Sequence, residues 1–154
     1  MSLKSFFEKI KQDRVNADKL CDDESKTLSC NVFSYYKGVR FLKVPFRMNA
    51  CSFGMIFWGK REPCSGCEAE ETLRHEYGHY LQYKKLGFFK YVRFVAAPSL
   101  KGYFGGVPYN SYYSQPWEYE ADVLGNVMRQ NYSYELDAEQ KYNEYKSKSK
   151  IKNR

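Results

Sequence analysis

Two histidines occur in the 154 residues, four positions apart with a glutamate between them: His75-Glu76-Tyr77-Gly78-His79. On a helix, positions i and i+4 share a face about one turn apart, so both imidazoles can turn a ring nitrogen toward one metal ion. Glu76 falls further round the helix, where its carboxylate can reach a water at that ion without competing as a ligand. The chemistry this implies is metal-assisted hydrolysis. A catalytic zinc ion takes three protein ligands and leaves one position for water or substrate. The chain has no third histidine, so a three-histidine site is excluded and the third ligand must be a carboxylate or a cysteine.

The best carboxylate lies in Pro116-Trp117-Glu118-Tyr119-Glu120-Ala121-Asp122. Glu118 and Asp122 are four apart and share a helical face. Glu118 is read as the third ligand, and Asp122 as the acceptor of a ligand histidine's free ring N–H, which fixes its tautomer. Glu120 points elsewhere on a helix, as a solvated carboxylate or the partner of a nearby arginine. Ala121 and Gly125 are small enough for this helix to lie close to the first.

HEYGH followed by WEYEAD resembles the gluzincin metallopeptidases, whose pattern is HExxH on one helix and ExxxD on a second. The stretch from Thr72 to Gln82, followed by Leu86-Gly87, is similar to small bacterial proteins of that kind. The resemblance covers residues 50–130. It implies a zinc peptidase with one catalytic Zn2+ on His75, His79 and Glu118, Glu76 as general base and Asp122 behind a ligand histidine. It also implies a second donor for the tetrahedral oxyanion, which many gluzincins supply with His or Tyr. Here the donor must be a Tyr, an Arg or a backbone amide, and Tyr112 and Tyr113 are the candidates. In the gluzincin arrangement a strand before the zinc helix edges the cleft. Phe53, Gly54 and Met55 occupy that place and are expected to bind an extended peptide through a free strand edge. The alternative function is a catalytically inactive zincin-like protein that uses zinc structurally or to bind a partner.

The elements that must position these groups follow from periodicity. Leu3, Phe6, Phe7, Ile10 and Ala17 predict an amphipathic helix over 1–20. Val32–Phe46 reads as one or two strands around Lys37-Gly38, and Ser52–Trp58 as another strand. Ser65 with Glu68 resembles a capping box, and Gly87 is a natural stop, so a long helix carries both histidines. Lys90 and Arg93 favour a helix over 88–97. Residues 98–115, with their glycines, prolines and aromatics, read as a long loop. Pro116 suits the first turn of a helix running to about Arg129. Ser133 can cap a last helix with Leu136, Tyr142 and Tyr145 on one side, and the basic end, from about 146, is expected to fray. The expected fold is one α+β domain over 1–154. A small, mostly antiparallel sheet packs against the zincin-like HExxH helix, and a second ligand-bearing helix completes the site.

Composition sets the remaining bounds. Hydrophobic residues make up 43% and charged residues 28%, which excludes global disorder. Lys and Arg total 25 against 18 Asp and Glu, a net charge of +7, yet no recognised nucleic-acid reading motif accompanies it. Phe88–Leu100 could rest on an anionic membrane surface with Lys90 and Arg93 at the headgroups. Cys64-Ser65-Gly66-Cys67 is half of a structural zinc site, a redox pair or two plain thiols. The first residues show no secretory pattern, so a cytoplasmic location with reduced thiols is expected. The expected partner is a peptide or protein substrate, and the sequence is silent on oligomeric state.

Overall fold

The computed structural model describes residues 33–62, 67–127, 129 and 133–151. The expected helix over 1–20, the Ser65 cap, Cys64 and the side chain of Cys67 lie outside the described residues. Four short strands form one sheet: β1 (Phe33–Tyr36), β2 (Val39–Lys43), β3 (Cys51–Ser52) and β4 (Ile56–Trp58), in the order β1-β2-β4-β3. The β1–β2 and β3–β4 pairings are antiparallel, and the central β2–β4 pairing is parallel. Lys37 and Gly38, both at positive φ, make the tight turn between β1 and β2.

Alternation along β2 sends Val39 and Phe41 to one face, where they meet Ile56 and Trp58 of β4. Helix α1 (Cys67–Leu86) closes that layer with Ala69 and Leu73, and Tyr77 and Tyr80 pack beside them. Full burial of each large side chain here contributes about 1.5–3 kcal/mol. The opposite face of α1, at i, i+4 and i+7, carries His75, His79 and Gln82 toward α5 (Pro116–Gly125). Helix α1 thus has an apolar face for the sheet and a polar, equally buried face for the site.

Several expectations need correction. Residues 52–58 do not form one strand. Phe53, Gly54 and Met55 make the turn between β3 and β4, where the Phe53 N–H donates to the Met55 carbonyl. The chain from Phe88 to Phe104 is a nearly continuous helical run: α2 (Phe88–Tyr91), a π-helical turn (Val92–Ala96) and α3 (Ala97–Phe104). Pro98 accounts for that turn. Its ring would press on the Phe94 carbonyl in a regular α-helix, and widening the preceding turn relieves the clash. Residues 109–113, expected in the same loop, form α4 (Tyr109–Tyr113). Helix α5 stops at Gly125, short of Arg129, with Asn126 in the left-handed conformation as its cap. The last helix, α6 (Ala138–Ile151), begins beyond Leu136, which is 107% exposed rather than packed. It continues through the basic run expected to fray, as far as Ile151.

Candidate functional site

The α1–α5 crossing is unusually close. A Cβ on Gly78 would fall inside the Ala121 carbonyl, and one on Gly125 inside the Arg74 carbonyl. Backbones meet where other helix pairs keep side chains between them. The approach brings one ligand atom each from His75, His79 and Glu118 within 4.8 Å of one another. All three side chains are buried, and Glu118 is 0% exposed.

The hydrogen bonds dictate the ring tautomers. His75 Nδ1 lies 2.7 Å from Asp122 Oδ1. His79 Nδ1 lies 2.8 Å from Gln82 Oε1. The Gln82 amide is oriented by its own donations, to the Trp117 carbonyl at 2.8 Å and to Glu120 Oε2 at 3.1 Å. Arg129 Nη2, a donor, also lies 3.1 Å from His75 Nδ1, but the Asp122 carboxylate is nearer and takes that proton's hydrogen bond, so both Nδ1 atoms carry protons, as in metal-ligating histidines. In neutral rings the two Nε2 lone pairs then converge on Glu118 Oε2, each at 3.1 Å. Glu118 Oε1 is buried with no partner. Two imidazole lone pairs and a carboxylate in one buried spot repel each other unless positive charge sits among them. A His2Glu donor set is one that catalytic zinc takes, so the residues fit the ion.

Charge at the site agrees. Burial works against protonation of His75, but Asp122 and Glu118 outweigh it and push the ring up to about 10. His79 moves in the same direction, opposed by burial and driven by Glu118. Burial opposes the charge of Glu118, and the two rings more than compensate, holding its carboxyl well below the usual range. Glu76 differs. Burial raises it, His79 and His75 offset part of that rise, and its Oε2 has no partner. A carboxylate so placed, beside but outside the ligand cluster, is poised to take up a proton.

A second layer braces the first. Arg129 Nη2 donates to Asp122 Oδ1 at 2.6 Å and its Nε to Oδ2 at 2.8 Å, while the Tyr134 hydroxyl donates to Oδ2 at 2.8 Å. The Arg129 guanidinium lies 3.5 Å from the centroid of the Tyr113 ring. Tyr113 in turn meets His75 edge-on, at 5.3 Å between centroids. The Tyr112 hydroxyl pairs with Ser99 Oγ at 2.7 Å. Burial and the Glu118 charge raise both tyrosines, so both hydroxyls stay protonated and able to donate. Glu120, expected from sequence to be solvated or the partner of an arginine, is neither. It is buried and accepts from Lys85 at 3.0 Å as well as from Gln82.

The structure thus brings His75, Glu76, His79, Glu118 and Asp122 together and puts Tyr112 and Tyr113 beside them. It does not give Phe53, Gly54 and Met55 the strand edge expected of them. Phe53 packs on Tyr83, Phe88 and Tyr91 instead. The edge strand next to β4 is β3, and its Ser52 carbonyl already accepts from the Tyr91 hydroxyl at 2.7 Å. Sequence reasoning missed Gln82, Arg129 and Tyr134. Gln82 carried a signal, since it follows His79 by three residues and shares its face. Arg129 and Tyr134 follow α5 and had none.

The arrangement, HExxH on one helix and the glutamate and aspartate of ExxxD on a second, is that of a gluzincin-type zinc centre. Comparison of the chain with family models, curated proteins and solved structures gives no match, so this rests on the chain's own residues.

Proposed function

We propose that the protein is a zinc-dependent peptidase that hydrolyses peptide bonds in peptide or protein substrates. The observation that carries this is the convergence of His75, His79 and Glu118 in one buried cluster, with Glu76 beside it and its Oε2 unpartnered. Zinc, when bound, supplies Lewis acidity toward water and toward a carbonyl oxygen. Glu76 accepts a proton from the attacking water and delivers it to the leaving amine, a role its raised affinity for protons suits. Asp122 and Gln82 hold the two rings in the tautomer that leaves Nε2 free to ligate. Tyr112 and Tyr113 both feel the Glu118 charge, and they are the donors assigned to a developing oxyanion. A cytoplasmic location belongs to the same reading. The free Cys51 thiol fits a reducing compartment, and cell fractionation checks it.

The test is Glu76→Gln. This variant should keep stoichiometric zinc and lose hydrolysis of a denatured protein substrate by at least about a hundredfold. Hydrolysis at the wild-type rate would leave zinc in a structural or partner-binding role.

A further inference from the structure

The helical run from Phe88 to Phe104 uses only one side for packing. Tyr91 and Val95 are buried against the body. The other side shows a single exposed stripe at helical spacing: Phe89, Arg93, Ala97, Leu100, Lys101 and Phe104. Phe89 is 84% exposed, Phe104 80% and Leu100 54%. The two phenylalanines stand at opposite ends of the run, each touching an aromatic neighbour edge-on, Phe88 and Tyr103 respectively. Among the described residues nothing covers these large apolar side chains, and contiguous exposed apolar surface marks a contact site.

Charge says which contact. No Asp or Glu occurs between Glu76 and Glu118, whereas Lys84, Lys85, Lys90, Arg93 and Lys101 do. Lys85 is engaged by Glu120, but Arg93 and Lys101 stand within the stripe itself. The run is thus apolar along its crest, basic between and beside, and contributes no acid of its own. It is also convex, a single helix side rather than a groove.

We propose that this stripe is a docking surface for an anionic lipid bilayer. Phe89, Leu100 and Phe104 enter the boundary between headgroups and acyl chains, and Arg93 and Lys101 meet the headgroup phosphates. A fluid bilayer accepts phenyl and leucyl side chains from a convex helix without shape matching, which a folded protein partner would demand. The aliphatic members Ala97 and Leu100 give a nucleic acid nothing to stack on. No helix among the described residues is long and apolar enough to cross a membrane, so the contact is with the surface. The proposal stands apart from the peptidase reading.

The test is sedimentation of the full chain with vesicles of phosphatidylglycerol mixed with phosphatidylcholine, and with vesicles of phosphatidylcholine alone. The wild-type protein should pellet with the first and not with the second, and salt should release it. Phe89→Ser with Phe104→Ser should weaken partitioning by more than about tenfold. Arg93→Ser with Lys101→Ser should weaken it about fivefold per cation removed. Both pairs lie away from the metal centre, so zinc content and melting temperature should match wild type. The two pairs alter different side chains, so a folding defect in one leaves the other to decide. Equal pelleting of wild type and both variants overturns the proposal. So does failure of the wild type to bind anionic vesicles, whether or not it retains RNA or self-associates through the stripe.

Discussion

His75 and His79 sit on one face of one helix and meet the same carboxylate, yet they are braced by different chemistry. His75 leans on Asp122, a buried carboxylate clamped by Arg129 and Tyr134. His79 leans on the neutral amide of Gln82, itself held by Glu120 and the Trp117 carbonyl. The first brace is ionic and recruits residues from beyond the end of α5. The second is a chain of neutral or singly charged links, anchored within α1 and along α5. Hydrogen bonds to an ionised acceptor are roughly twice as strong as neutral ones. The difference teaches that one ring is fixed by charge and the other by geometry, so the two sides should fail to different degrees.

Glu118→Ala removes the group both sides share and should have the largest effect. Zinc measured after dialysis should fall well below one per chain, with affinity down by more than the roughly hundredfold expected for any bracing residue. Chelator should then no longer lower the melting temperature, as it should for wild type, because binding no longer favours the folded state. Retention of stoichiometric zinc would exclude Glu118 as a ligand.

Gly78→Ala tests what both sides depend on, the approach of α1 to α5. The added methyl meets the Ala121 carbonyl, so the helices must separate. A loss of about 3 kcal/mol is expected, read as a fall of roughly 10 °C in melting temperature. An unchanged melting temperature would mean that the crossing is looser than described.

Asp122→Asn breaks the ionic brace alone. Zinc affinity should fall about 10–100-fold, and combining it with Arg129→Gln should add little, because both act on one network. The acid limb of stability should flatten as well. Burial alone would raise Asp122, but His75 and Arg129 hold it below its ordinary value of 3.8. Its contribution is therefore whole above that pH and lost as pH falls further. Chemical denaturation at several pH values reads this out.

Gln82→Leu breaks the neutral brace and should cost least, at the lower end of that affinity range, near tenfold. A larger loss than for Asp122→Asn, in the same competition titration, would reverse the order of the two sides.

Much of this was legible because it is local. The HExxH spacing places two rings on one helical face wherever that helix goes. Glu118 and Asp122 announce their shared face in the same way, and Gly87 ends α1 where the sequence says a helix should stop. The run from Pro98 to Gln115 misled, because Gly, Pro and crowded tyrosines are loop signals. Helix α3 forms there since Pro98 stands in its first turn and the π-turn before it absorbs the clash. The strand expected over Ser52–Trp58 broke at Gly54, where positive φ turns the chain back on itself.

The sequence by itself determined which side chains could bind and move protons, because ligand spacing and helical periodicity are properties of a few consecutive residues. Only tertiary structure decided which distant groups complete them. His75 reaches Asp122, and Gln82 reaches Glu120, because Gly78 and Gly125 let two helices touch backbone to backbone. Contact between segments forty residues apart is set by packing, and no local pattern records it.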